Sequence, residues 1–292
     1  MTSADWTSLV GGIRLVATDL DGTLLRADGS VSEFTVATFA RARAAGVPVV
    51  FVTGRPVRWL PMVAESTGHY DAVICANGAV LIDLRAGAVL ETHPIAPDAL
   101  DDVVTTLRRE VPGIGFAAEW LDGEALDAPR DSDFAHEDAY VPRVPVPGAP
   151  RPGDIREIAA GHAVVKLLAR VSGSAHDADS LLDHALEHVA HLVTVTHSNS
   201  GDVLLEMSAA GVTKGSTLAS YAAGLGLDAA AVAAAGDMPN DVPMLTWAGV
   251  GLAVEGAHPR VLAAADAALP GPEGDGVARF LEAVLRTDPR PV

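Results

Sequence analysis

Ile13-Arg14-Leu15-Val16-Ala17-Thr18-Asp19-Leu20-Asp21-Gly22-Thr23 is the stretch on which the reading of this chain turns. A short run dominated by apolar and β-branched side chains predicts a buried strand, and the run stops at a carboxylate. On an extended backbone, residues two apart point to the same side, so Asp19 and Asp21 can reach one site. One can attack phosphorus while the other moves a proton to or from a leaving oxygen. Gly22 permits a sharp turn straight after the strand. An isolated Asp-x-Asp is ordinarily a polar turn, but Asp-x-Asp-Gly-Thr after an apolar run is far more specific.

The flanking sequence has an α/β rhythm. Ser32 is the expected N-cap of a helix running to Ala45, with Gly46 as its stop. Residues 47–52 form a second β-branched run ending at Thr53, and a helix is expected over 55–66, with Pro56 in its first turn. Residues 72–75 read as a third strand and Asn77-Gly78 as a turn before Val80-Leu81-Ile82. Strands alternating with helices predict a parallel sheet with crossovers. The middle differs: a helix over 97–109, a strand over 115–120, a Pro-rich loop over 141–148, a strand over 163–170, a helix over 175–191, then strands over 192–196 and 203–207. From Thr213 the first rhythm returns. The expected organisation is one α/β domain in two pieces, residues 1–83 and 208–292, interrupted by a separate α+β unit over 84–207.

Three further fragments carry chemistry. Thr53-Gly54-Arg55 offers a hydroxyl and a backbone N–H at a helix start, where the dipole favours an anion such as phosphate. Lys214, in Gly211-Val212-Thr213-Lys214-Gly215, stands at an expected helix start, a position the dipole disfavours for a cation. Gly236-Asp237-Met238-Pro239-Asn240-Asp241 puts a carboxylate at a strand end, with an amide and a second carboxylate one turn later. Such an oxygen-rich set suits Mg²⁺, although Asp237 or Asn240 as an ordinary helix N-cap accounts for the same residues. In open α/β sheets the ligand crevice lies at the carboxyl ends of the strands, so Asp19, Thr53 and Asp237 are placed to converge there.

Charge narrows the alternatives. Asp and Glu number 38 against 20 Lys and Arg, a net charge of −18, which argues against nucleic acid and anionic membranes as partners. A phosphorylated substrate is repelled by the molecule as a whole, so its site must be locally positive, through a metal and a well-placed lysine. Apolar residues make up 49% of the chain, yet no uncharged apolar run approaches the roughly 20 residues of a membrane helix. The first twelve residues read as neither signal peptide nor anchor, and a cytoplasmic protein is expected. The single cysteine, Cys75, lies in an apolar run and is expected to be a buried structural thiol.

Taken together, the four fragments resemble, in order and spacing, the haloacid dehalogenase (HAD) superfamily, and most closely its Cof-like branch, subfamily IIB, with a type C2 cap. Ala76-Asn77-Gly78-Ala79, Leu205-Glu206-Met207 and Asp275-Gly276-Val277 extend the likeness. The resemblance implies a Rossmann-like core with an inserted cap. It implies Asp19 as nucleophile and Asp21 as general acid/base, with Lys214 stabilising the nucleophile and the transferring group. Thr53, Gly54 and Asn240 would bind phosphate. Mg²⁺ would sit on the Asp19 side chain, the Asp21 carbonyl and Asp237, while Asp241 orients Lys214 or a metal-bound water. Met238, where Asn or a small residue is frequent, and Val254-Glu255-Gly256-Ala257 depart from the usual pattern without removing a ligand. The implied activity is Mg²⁺-dependent hydrolysis of a small phosphorylated metabolite, a sugar phosphate or similar. A phosphotransferase or mutase on the same scaffold and a non-catalytic phosphate-binding protein stay open, and a dehalogenase fits less well. Oligomeric state and substrate are not legible. His184, His188 and His191 share one face of the helix expected over 175–191, a spacing that can hold a transition metal, but its Leu182, Ala185, Leu186 and Val189 stripe reads as an ordinary amphipathic helix. Trp120 and residues 131–140 can line a pocket, or be core and solvated loop.

Overall fold

The computed structural model describes residues 6–123, 133–142, 153–171 and 176–287. The Pro-rich loop expected over 141–148 lies outside them from residue 143 onward. The first strand, β1 (Leu15–Thr18), is buried at every position, as are β2 (Val49–Val52) and β3 (Ala72–Cys75). All three are parallel, and β1 pairs on its other side with β11 (Val232–Gly236), which leads to β12 (Val250–Val254) and β13 (Ala267–Leu269). Apolar runs without alternation are what a sheet covered on both faces requires. Antiparallel β4 (Val80–Asp83) and β5 (Ala88–Thr92) complete an eight-stranded sheet in the order β13-β12-β11-β1-β2-β3-β4-β5. Helix α1 (Glu33–Ala44), capped by the Ser32 side chain as expected, packs on α9 (Gly276–Thr287), and α6 (Lys214–Gly224) packs on α7 (Val242–Trp247), which also meets α8 (Pro259–Ala264). The Cys75 thiol is free and buried, and burial pushes its pKa up.

The expected boundary between 83 and 84 falls one strand early, because β5 turns straight back onto β4 and belongs to the large sheet. The inserted unit has its own five-stranded antiparallel sheet, ordered β7-β6-β8-β10-β9, from β6 (Gly115–Trp120), β7 (Phe134–His136), β8 (Val164–Arg170), β9 (Val193–Thr196) and β10 (Leu204–Ala209). Helices α3 (Pro97–Glu110), α4 (Ile155–Ile158) and α5 (Ala178–Val189) back it. Alternation assigns the two faces. Phe116, Ala118, Leu167, Ala169, Leu205 and Met207 join the core under the helices. Glu119, Lys166, Arg170 and Glu206 fall on the opposite face, which covers the carboxyl ends of the large sheet.

Two helix starts are later than expected. Residues 57–59 form a 3₁₀ turn and α2 begins at Leu60 (Leu60–Thr67), since Pro56 is extended and the Arg55 N–H is already given to the Thr53 hydroxyl. The sequence pattern likewise predicts a helix over 240–247, whereas residues 239–241 form a 3₁₀ turn ahead of α7. Asn77 sits in a 3₁₀ turn in which Ala76 and Asn77 both have positive φ, 49° and 58°. Such strained non-glycine backbone persists only where surrounding contacts hold it, and it clusters at functional sites.

Candidate active site

Asp19 follows the last residue of β1, and its N–H donates to Ala235 O of β11, so its carboxylate emerges between the two central strands. Asp237 follows the end of β11, and its Oδ1 accepts the Thr23 hydroxyl at 2.8 Å. Gly22, at φ +82°, explains the glycine in the motif twice over: a Cβ there would lie 2.4 Å from Asp237 Oδ2. Lys214 is the first residue of α6, whose N-terminus is closed by a Thr213–Ser216 capping box, so the lysine is not needed to satisfy the helix. Its ammonium, 1% exposed, donates to Asp19 Oδ1 at 2.5 Å and to Asp241 Oδ1 at 2.6 Å. The other oxygen of Asp241 accepts the N–H groups of Asp237 and Met238, both at 2.9 Å, which pins the loop carrying Asp237.

Ligand oxygens of Asp19, Asp237 and Asp241 all lie within 4.8 Å of one another. Three buried or half-buried carboxylates therefore face one ammonium. Burial raises the Asp19 pKa well above the usual carboxylate range, and Asp241 and Asp237 add to the rise against the pull of Lys214. Asp237 is pushed up to about 7 by burial and by Asp241. Burial works against the charge on Lys214, but Asp19 and Asp241 outweigh it and hold the lysine charged. An excess of negative charge in an all-oxygen pocket is the donor set of a hard divalent cation, so the residues present fit such an ion.

Asp21 lies nearer solvent than Asp19. The chain turns after Thr18, and the Asp21 carboxylate is 60% exposed and held in a fork by Arg55, with Nε on Oδ2 at 2.7 Å and the terminal nitrogen on Oδ1 at 2.6 Å. It lines the same cavity as Asp19 but stands outside the carboxylate cluster. Thr53 is buried beneath the loop and accepts from Arg55 N–H, whereas Gly54 reaches the cavity wall. Asn240 donates to Asn77 Oδ1 at 3.1 Å, and its own Oδ1 is buried without a partner among the described residues.

Sequence reasoning gave no role to a polar network that bridges the two sheets. The Asn77 side chain donates to Glu206 Oε2 at 2.6 Å, Lys166 Nζ pairs with the same oxygen at 2.6 Å, and Lys166 also donates to Gly54 O at 2.7 Å. Burial works to raise the Glu206 pKa, but Lys166, Ser198 and Asn77 together outweigh it, and the pKa is lowered. A usable signal existed: Glu119, Lys166 and Glu206 are lone charges in otherwise apolar strands. The network and the Asp19 cluster enclose a cavity of about 440 Å³ between the sheets, with Glu119, Phe134, Tyr140, Lys166 and Arg170 on its cap side.

A sequence profile of the haloacid dehalogenase-like hydrolases matches residues 16–281. The chain belongs to that family. It is 26% identical over 269 residues to the pyridoxal phosphate phosphatase YbhA of Escherichia coli, covering 92% of this chain and 97% of that one. Its fold is that of BT1666 from Bacteroides thetaiotaomicron, a haloalkanoate-superfamily phosphatase (TM-score 0.75, 23% identity, 93% and 95% of the two chains). It is also that of BT4131, a subclass IIB sugar phosphatase (TM-score 0.70, 18% identity, 92% and 98%). This haloacid dehalogenase-like chain thus combines the Cof-like α/β core with an inserted antiparallel unit. No helix among its described residues is long and apolar enough to cross a membrane.

Proposed function

We propose that the protein is a cytoplasmic, Mg²⁺-dependent phosphatase that hydrolyses a small phosphorylated metabolite through an aspartyl-phosphate intermediate on Asp19. The observation that carries this reading is the meeting of four distant fragments: Lys214 bonded to both Asp19 and Asp241, with Asp237 beside them. Asp19 attacks phosphorus in line, an Asp19–phosphorus bond forms and the ester oxygen leaves. Asp21 gives that oxygen its proton, then takes one from the water that cleaves the intermediate, and inorganic phosphate departs. Arg55 sets where the Asp21 carboxyl points. Lys214 holds the Asp19 oxygen and offsets charge building on the transferring group, with Gly54 and Asn240 lining its berth. Asp19 and Asp237 side chains and the Asp21 carbonyl would hold Mg²⁺, which when bound neutralises phosphate charge. Release of inorganic phosphate from a panel of phosphomonoesters, with no second acceptor present, tests the reading. Transfer only to an added alcohol would make it a phosphotransferase.

The pH dependence follows from Asp237. Its folded pKa of about 7 lies above the unfolded value of 3.8. The metal-free fold therefore keeps this stabilising proton below the unfolded value and loses its benefit as pH rises through about 7. The same proton must leave before a cation binds. Mg²⁺ activation is expected to weaken by up to about tenfold per pH unit below 7 and to level off above it. Mg²⁺ titrations of turnover across that range check this, and a flat profile would contradict the assignment of Asp237.

The cavity also supports a substrate class. The cationic side chains around it are already paired: Arg58 of the core with Glu119, and on the cap side Lys166 with Glu206 and Arg170 with Asp202. That leaves little to attract a second acidic group. Instead, on three side chains that line the cavity, Glu119 Oε2, Asn240 Oδ1 and Arg170 Nε are buried without partners among the described residues, two acceptors and one donor. Native interiors rarely leave such atoms unmet, and hydroxyl groups on an uncharged leaving group supply both roles. Glu119→Gln is expected to lower kcat/KM for hydroxylated phosphates by about 10- to 100-fold. Turnover of p-nitrophenyl phosphate, whose leaving group has no such hydroxyls, should barely change. Equal losses on both substrates would count against this class.

A further inference from the structure

We infer that the outer side of the inserted unit carries a second metal site, remote in chemistry from the Asp19 cluster, in which Glu110, His184 and His188 take a borderline divalent ion such as Zn²⁺. His184 and His188 are one turn apart on α5, so their rings project from one face. Glu110 is the last residue of α3, the helix that packs beside α5. One ligand atom from each of the three lies within 4.8 Å of the others.

Three details distinguish this cluster from chance neighbours on a surface. Arg109 Nε engages Glu110 Oε1 at 2.7 Å, and the second oxygen stands 3.8 Å from His188 Nε2. That separation is too long for a hydrogen bond but near the roughly 3.3 Å between two donors on a tetrahedral ion with bonds of about 2.0 Å. His184 Nε2 is buried with no hydrogen-bond partner among the described residues. The His184 ring lies 4.8 Å from the His188 ring and 5.6 Å from the His176 ring, which puts a third imidazole beside the site. His191, which shares the helical spacing, is exposed and takes no part, and Glu110 from another helix stands in its place.

A second histidine and carboxylate cluster shows what such a group looks like when it is not a metal site. Asp179 meets His197 Nε2 at 3.1 Å and His258 Nε2 at 3.0 Å. His258 Nδ1 accepts the Arg260 N–H, so a neutral His258 carries its hydrogen on Nε2 and donates it to Asp179. The atoms that face one another in that cluster are hydrogen-bonded across the two sheets' domains, although His197 Nδ1, on the far side of its ring, is buried without a partner among the described residues. The facing atoms of Glu110 and His188 stand at 3.8 Å, beyond a hydrogen bond. Two imidazole nitrogens and one carboxylate select Zn²⁺ or its neighbours over Mg²⁺, the reverse of the all-oxygen cluster at Asp19. An ion there ties α3 to α5 and so braces the helical layer behind the cap sheet.

The test uses the full chain, stripped of metal and returned to saturating Mg²⁺. Zn²⁺ is titrated against a competing chromogenic chelator, with wild type, His188→Ala and Glu110→Gln compared. Wild type should bind one more Zn²⁺ per chain than His188→Ala, and Glu110→Gln should weaken that ion by at least about tenfold. Zn²⁺ should raise the melting temperature of wild type and not of His188→Ala, while Mg²⁺-supported turnover stays the same in all three. Any Zn²⁺ taken by the Asp19 cluster is common to every variant and cancels in the difference. Equal Zn²⁺ uptake in wild type and His188→Ala, or none in either, would overturn the site and leave the phosphatase reading untouched.

Discussion

Asp19→Asn is expected to abolish phosphatase turnover, by roughly 10⁴-fold or more, while leaving the fold intact. The amide keeps the shape of the carboxylate but cannot displace an alkoxide from phosphorus, so the covalent route is closed. The stability outcome runs the other way. Asp19 is buried, and burial with Asp241 and Asp237 raises its pKa above the unfolded value despite Lys214. A raised carboxylate pKa means that ionising it at neutral pH opposes folding, an effect that sets in as pH climbs above the unfolded value of 3.8. Metal-free Asp19→Asn should therefore melt no lower than wild type at neutral pH. A reactive group held against its own stability is the usual trade between activity and fold. Rate measurements with p-nitrophenyl phosphate, paired with thermal melts in chelator, check both halves. Substantial residual turnover in a folded variant would rule out Asp19 as the nucleophile.

Lys214→Met should damage both rate and stability, and the two losses can be separated. The ammonium is the shared partner of Asp19 and Asp241 at 2.5 and 2.6 Å, and Asp241 is fully buried. Its folded pKa lies above its unfolded one, so this contribution to stability is held throughout the neutral range. Removing it leaves two carboxylates uncompensated, at a cost of about 3–5 kcal/mol. The loss of charge stabilisation on the transferring group should lower turnover by about 10²- to 10³-fold. Adding Asp241→Asn removes one stranded charge and should recover much of the stability without recovering the rate. Chemical denaturation of the single and double variants reads the first effect and steady-state kinetics the second. Recovery of rate alongside stability would reduce Lys214 to a structural role.

The core and the Asp19 cluster were legible because each piece is announced locally. An apolar strand that stops at a carboxylate says where β1 and β11 end, and strand ends of a parallel sheet share one edge by construction. Lys214 at a helix start was a conflict visible in one dimension, and the structure resolves it by turning the ammonium onto two carboxylates. Asp21 lines the same cavity as Asp19, but its partner was not legible: Arg55, more than thirty residues away, takes the carboxylate. The β4–β5 hairpin was missed because its partly exposed strand carries no buried run to mark it.

From its own order of residues the chain determined a parallel core, the strand ends that bear Asp19, Thr53 and Asp237, and the need for a cation in an acidic protein. These are properties of period, sign and adjacency, and a single dimension holds them. The partners of the lone charges were decided only in three dimensions. Glu206 meets Lys166 because β8 and β10 are neighbours, and both reach Asn77 and Gly54 because the cap sheet lies over the core. Glu110 meets His188 because α3 lies along α5. Pairing between distant charges depends on strand order, register and docking, and those are set by the packing of whole layers, which no local pattern encodes.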